Sequence, residues 1–498
     1  MNDKVTIRRL ATGVPGLDEI LGGGMPEFSF NLIVGSPGAG KTTLAHQIMF
    51  ALATPERPAL FFTVLGEPAW KMLRYQQQFS FFDFDKIDSS IRFINLSAEV
   101  SSGRFDEVLA RITEEVRLHS PALVFVDSFR SVMIEAQRMA SGADSMQQFV
   151  HLLGLALSGW QATAFLVGEY SQQRDAPPVF TVADGIISLD QSVQRNSMVR
   201  KIQVLKMRGQ ATSPGVHTFR ITGDGLSIFP SAIIQDDSNA GHALGHARQT
   251  GRAAMGVPLL DEMLGGGLPH GYSLLVAGPS GSGKTILATA FLAEGVRLGE
   301  PGVIVAFEQT PSRSRTTTID DLVQAGSIGL INTRLRDLSV DEVVQQLIQS
   351  IRERKATRVV IDSISGFELA VAPTFRDDFR ESLFRMVAVL SGLGVTVLMT
   401  SELEDRYTDL RFSPYGSAFL TDAIIVQRYV ELESCLQRVM AVVKVRASAH
   451  SNQLRLFTIN DDGIQIGDVL VDEEGLLGGR PTRRHSPRER VRTNGKNV

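Results

Sequence analysis

Cysteine is almost missing: Cys435 stands alone in 498 residues. That excludes an intrachain disulfide and any cysteine-cluster metal site, and a lone thiol of this kind is expected to be a small apolar filler. Net charge is also missing. Fifty basic residues against 54 acidic ones leave −4, so no global field draws the chain to nucleic acid or to an anionic membrane. No apolar run approaches the ~20 residues of a membrane-spanning helix. Met1-Asn2-Asp3-Lys4 leads into a polar segment and not into a signal peptide. A cytoplasmic location is expected. The rest is ordinary globular composition, 43% hydrophobic and 21% charged, at a length that suits two domains of about 200–250 residues.

What is present occurs twice. Residues 35–43 read Gly-Ser-Pro-Gly-Ala-Gly-Lys-Thr-Thr, and residues 278–286 read Gly-Pro-Ser-Gly-Ser-Gly-Lys-Thr-Ile. Both fit the phosphate-binding loop G-x-x-x-x-G-K-[ST], and Lys41 and Lys284 are 284 − 41 = 243 residues apart. Asn31–Val34 and Ser273–Ala277 precede the loops as short buried strands, and helical patterns follow from Leu44 and Leu287. In that arrangement the loop amides and the helix N terminus converge on phosphates. ATP contacts are expected from Ser36, Pro37, Gly38, Ala39, Gly40, Lys41, Thr42 and Thr43, and from Pro279, Ser280, Gly281, Ser282, Gly283, Lys284, Thr285 and Ile286.

The repeat reaches outward from the loops. Gly13–Pro26 matches Gly256–Pro269 at the same spacing, with no gap. Strand and helix patterns then alternate in both halves, which argues for an α/β fold with a mostly parallel sheet flanked by helices. Period-two segments (Val199–Met207 and Val216–Ile221, then Val439–Val445 and Gln453–Ile459) read as antiparallel hairpins added at the sheet edge. This divides the chain into a first domain at 1–234, a polar linker at 235–250, a second domain at 251–470 and a tail at 471–498. From Gly478 on, the tail carries six arginines and one lysine against one glutamate, and disorder is expected there.

The chemistry follows from residue types at matched positions. Lys41 and Lys284 suit the β- and γ-phosphates, and the Thr42 and Thr285 hydroxyls suit Mg²⁺. Asp127 and Asp362 close apolar runs, where a charge is costly unless paired or metal-linked, so they are read as the magnesium carboxylates. A carboxylate that polarises the attacking water is expected after the next strand. The second half supplies Glu308 there, whereas the same register gives Leu65 in the first half, with Glu67 displaced by two residues. The first domain is therefore expected to bind nucleotide and to hydrolyse it weakly or not at all. Lys206-Met207-Arg208 and Lys444-Val445-Arg446 place two cations on one strand face in each half.

Together these residues resemble the KaiC family, that of a circadian clock protein with two tandem RecA-like P-loop domains. The resemblance runs from Gly13 to about Gly467. It implies a homohexamer with ATP at subunit interfaces, where Lys206, Arg208, Lys444 and Arg446 would contact the neighbouring subunit's ATP. The chain departs from the family pattern in three places. Leu65-Gly66 and Glu308-Gln309 stand where the family has two adjacent acids. Ala418 and Phe419 stand where the clock protein has its phosphate-accepting hydroxyls, although Ser413, Ser417 and Thr421 are nearby. The arginine-rich tail does not match the clock partner's docking segment. The leading reading is a hexameric, Mg²⁺-dependent ATPase switch in signalling, working with an unidentified protein partner. An autokinase using displaced hydroxyls and a DNA-handling ATPase stand as alternatives, the latter supported by the basic tail alone.

Overall fold

The computed structural model describes residues 7–64, 69–101, 105–128, 161–169, 178–194, 197–231, 251–307, 319–332, 338–403, 420–432 and 434–470, with a few isolated positions besides. By its internal contacts the chain divides into Met1–Ser231 and Ala232–Val498. The linker expected at 235–250 lies outside the described residues, as does most of the tail. Within the tail, Glu473–Glu474 pairs antiparallel with Thr482–Arg483. Among the described residues no helix is long and apolar enough to cross a membrane.

Among the described residues each unit is built on a nine-stranded sheet. In the first unit the strands are β1 (Phe30–Gly35), β2 (Ala59–Thr63), β3 (Ile91–Asn95), β4 (Leu123–Asp127), β5 (Thr163–Glu169), β6 (Gly185–Gln194), β7 (Ser197–Met207), β8 (His217–Thr222) and β9 (Gly225–Phe229). Their order across the sheet is β9-β8-β7-β6-β1-β5-β4-β2-β3. The second unit repeats that order with β10 (Ser273–Gly278), β11 (Gly302–Ala306), β12 (Ile328–Asn332), β13 (Arg358–Asp362), β14 (Thr396–Glu402), β15 (Ala423–Leu432), β16 (Cys435–Val445), β17 (Arg455–Asn460) and β18 (Gly463–Val469). The strands from β6 through β1 to β3 run parallel, and β6 to β9 form an antiparallel extension. Both faces of the parallel part are covered. Along β1, Leu32 and Val34 enter one apolar cluster and Ile33 the other, which is why these strands read as continuous apolar runs.

The two cores are filled differently. In the first unit Phe93, Phe61, Phe125 and Phe165 stand in register across β3, β2, β4 and β5. Adjacent rings lie 4.7–6.1 Å apart. His46, on the P-loop helix Lys41–Leu52, stacks on Phe61 at 4.6 Å. It is fully buried, neither ring nitrogen has a partner among the described residues, and burial pulls its pKa down to about 3. The second unit holds aliphatic residues at the matching strand positions and instead buries Arg358. This residue pairs with Glu300 at 2.6 Å and donates to the carbonyls of Ala254 and Phe291, both at 2.7 Å.

His46 makes the first unit acid-sensitive in a defined window. Its folded pKa lies below its unfolded value of 6.5, so the neutral ring's contribution is fully present above pH 6.5. As pH falls further, the unfolded chain takes up a proton that the folded one refuses, and stability drops by about 1.4 kcal/mol per pH unit. We expect a loss of about 2 kcal/mol between pH 7 and pH 5 from this group, measured by denaturant unfolding of the first unit. His46→Leu should flatten the slope. An unchanged slope in that variant would place the acid sensitivity elsewhere.

Candidate nucleotide sites

Each P-loop joins the end of a central strand to a helix that begins at its lysine. The residue before the helix is Gly40 in one copy and Gly283 in the other, with φ of 101° and 100°. A β-carbon there would also come within 2.7 Å and 2.6 Å of the Ile221 and Ile459 side chains, so only glycine fits. Lys41 Nζ donates to the Ser36 carbonyl at 2.8 Å, and Lys284 Nζ to the Gly278 and Pro279 carbonyls at 2.8 Å. Both ammonium groups thus fold over the loop that cradles phosphate. The first-turn amides of each helix have no intrahelical acceptor and face the same space.

Asp127 and Asp362 come to these loops from strands that do not touch the P-loop strand, because β5 and β14 lie between. Thr42 Oγ1 donates to Asp127 Oδ2 at 2.6 Å, and Thr285 Oγ1 to Asp362 Oδ2 at 2.8 Å. The peptide bond after each aspartate is cis. A hydroxyl and a carboxylate oxygen side by side fit Mg²⁺, which takes one or two protein oxygens and fills its octahedron with phosphate and water. Burial raises the Asp127 pKa above the usual carboxylate value and Glu169 adds to this, while the Thr42 hydrogen bond and Lys41 oppose it.

The copies part at the intervening strand. Val167 and Thr400 hold the same place, paired with Ile33 and Val276 respectively. Thr400 Oγ1 donates a short hydrogen bond to Asp362 Oδ1, whereas Val167 offers none to Asp127. By sequence pattern this segment is only a strand, and nothing in the pattern singles out the added hydroxyl. Two further contacts carry no sequence signal either. Gln191 Nε2 donates to the Pro37 carbonyl at 3.0 Å, and Ser282 Oγ to Gln427 Oε1 at 3.0 Å.

Glu308 and Glu67 both lie outside the described residues, as do Ser413, Ser417, Ala418 and Phe419. The residues before them are placed. Val64 N–H donates to the Asp127 carbonyl at 2.9 Å and Phe307 N–H to the Asp362 carbonyl at 3.0 Å. The chain passes Asp127 and Asp362 at equivalent points in the two copies, and the next residue is Leu65 in one and Glu308 in the other.

The cation pairs sit at the opposite end of the sheet. Lys206 ends beside a bulge in β7, and Arg208 follows the strand's last residue. The bulge lies before Lys206, so the i, i+2 spacing expected from sequence is kept from Lys206 to Arg208, and both side chains reach the Thr181 carbonyl. Lys206 Nζ donates to the Phe180 and Thr181 carbonyls at 3.2 and 3.1 Å, while Arg208 reaches Asp184 at 3.1 Å and Thr181 O at 3.5 Å. In the second unit Lys444 donates to Thr421 O at 2.6 Å and Arg446 to Asp422 at 3.4 Å. Partial burial lowers both lysine pKa values, with the neighbouring arginine adding to the effect and the aspartate opposing it. Asp184 and Asp422 also accept from the Phe30 and Ser273 amides at 3.0 Å. They tie each pair to the first residue of the P-loop strand. A repeat signal for them exists, since 422 − 184 and 446 − 208 are both 238.

The strand order, with the Asp127 and Asp362 strands one strand removed from the P-loop strands, and the duplicated Lys–Thr–Asp sets define a tandem RecA-like P-loop ATPase. Comparison with known proteins agrees. The family model described as "ATPase: KaiC" matches residues 10–233 and again 253–470. The circadian clock oscillator protein KaiC of Picosynechococcus sp. is 26% identical over 96% of this chain and 93% of its own length. Its counterpart in Rippkaea orientalis is 27% identical over 96% and 92%, and KaiC 1 of Synechocystis sp. is 26% identical over 96% and 92%. The chain belongs to the KaiC family and is an ATP-binding, ATP-hydrolysing protein of that family.

Proposed function

We propose that the chain is a Mg²⁺-dependent ATPase that works as a cytoplasmic homohexamer, with ATP held between subunits and hydrolysed mainly in the second domain. The observation that carries the reading is the distance between each cation pair and its own P-loop. The strand between them runs from Phe30 to Gly35, about 17 Å at ~3.3 Å per residue. Lys206 and Arg208 lie at the far end from that loop, so the phosphates they can serve are those of another copy. There a cation would meet the charge that develops on the γ-phosphate.

Within each site the chain's own residues have separate tasks. The loop amides and Lys41 or Lys284 bind the phosphates. Thr42 with Asp127, and Thr285 with Asp362, hold the magnesium, whose charge neutralises the phosphate oxygens when bound. Glu308 orients and deprotonates the attacking water in the second site. Leu65 has no group for that step, and Glu67 stands displaced from it by two residues, so this site holds nucleotide and cleaves it slowly. Such a pair suits a nucleotide-driven switch read by a protein partner. The test is mass measurement of the full chain with and without MgATP. Six copies with MgATP are expected, and a chain that stays monomeric would contradict the interfacial sites.

A further inference from the structure

One residue at the cation-pair end of the first sheet is at odds with its own backbone. Phe28 has φ of 61° and is 56% exposed. Its amide donates to Thr163 Oγ1 at 2.9 Å, the same bond that Gly271 makes with Thr396 Oγ1 at 3.0 Å. Gly271, 243 residues on, also has positive φ, at 77°. For a residue with a β-carbon this backbone is unfavourable, and for a bulky aromatic it is an outlier. The fold gains little in return, because most of the ring faces solvent. A strained residue that its own domain does not need points to a use outside the domain.

The surroundings narrow that use. Phe28 lies two residues before Phe30, whose amide is tied through Asp184 to Arg208. Beyond Arg208, Ile7 is 49% exposed and packs against Gly209. The cation pair thus shares its edge with exposed apolar groups. The opposite rim, at the P-loop, carries apolar groups as well. Strand β1 pairs with β6 only from Gly185 to Leu189, so the β6–β7 hairpin runs on past the loop. Near its end the paired Val193 and Met198 are 72% and 47% exposed.

We propose that Phe28 is an assembly contact with a second copy of this chain, seated on that copy's P-loop rim against Val193 and Met198. The proposal rests on the reading that the cation pairs serve a neighbour's nucleotide, since the same edge then faces the same rim. Each copy offers Phe28 to one neighbour and its hairpin end to the other, the head-to-tail arrangement that closes into a ring. The second domain has Gly271 in place of the anchor, so the contact belongs to the first domain alone.

The test follows assembly of the full chain with MgATP over a protein dilution series, beside its unfolding in denaturant. Phe28→Gly keeps the amide bond and relieves the backbone, so the first unit should unfold at the same or higher denaturant. Its half-assembly concentration should rise about tenfold or more, the effect of losing one buried aromatic contact per copy. Phe28→Asn, which tolerates this backbone, should do the same, and Val193→Asp should reproduce the shift from the other rim. If the Phe28→Gly chain assembles at the wild-type concentration, Phe28 is not an assembly contact. If the wild-type chain never assembles, the interfacial sites fail and this contact with them.

Discussion

Glu308→Gln is expected to remove nearly all ATP turnover, leaving about a hundredth or less of the wild-type rate, because general-base assistance contributes roughly 10²–10⁴-fold. Glu67→Gln is expected to leave more than about half of the rate, since the first site then supplies little of it. The register supports the contrast. Val64 and Phe307 are fixed to the carbonyls of Asp127 and Asp362 by equivalent hydrogen bonds of 2.9 and 3.0 Å, so Leu65 and Glu308 follow the same anchored point. The second site is also better held, since Asp362 accepts from both Thr285 and Thr400 while the matching Val167 gives Asp127 nothing. Steady-state phosphate release by the two full-length variants checks this. If Glu67→Gln removes half the activity or more, the assignment of domain roles is wrong.

Arg446→Ala is expected to cost three or more orders of magnitude in turnover, the scale of removing a cation that acts on the transferring phosphate. A second condition applies that a residue serving its own site would not meet. Because Arg446 lies at the far end of the sheet from the loop at Gly278, its effect should cross between copies. Mixed with Lys284→Ala, which keeps its arginine but loses its phosphate lysine, the Arg446→Ala chain should regain activity. Random pairing in a head-to-tail ring leaves about a quarter of the sites with both groups intact. Two variants that exchange subunits and show no recovery would return the arginine to its own subunit's chemistry.

Much of this architecture is legible in the amino-acid sequence because the chain repeats itself. The gapless 243-residue spacing that aligns the two loops also aligns Val64 with Phe307, and the fold places those residues equivalently. The parallel strands are readable because burial on both faces leaves unbroken apolar runs. The features that sequence does not reveal depend on contacts that residue letters do not show. The strand Gly185–Gln194 lacks a clean alternation, because residues 185–189 are buried while Asp190 and Val193 beyond them are exposed. Cys435, expected as a small apolar filler, is exposed at the start of β16. Thr400 is one more strand residue by its letter, and only the register sets it against Asp362. Phe28 differs from Gly271 by one letter, and the meaning lies in the sign of φ.

The central claim is that one P-loop holds nucleotide and the other cleaves it. It is tested most directly in the Glu308→Gln chain, where second-site cleavage is slowed about a hundredfold or more and any faster cleavage must come from the first site. The chain would be loaded with MgATP, freed of excess nucleotide, quenched at intervals, and the bound nucleotide identified. ATP is expected to be recovered intact over times in which the wild type completes many turnovers. ADP appearing at a rate comparable to wild type would contradict the claim.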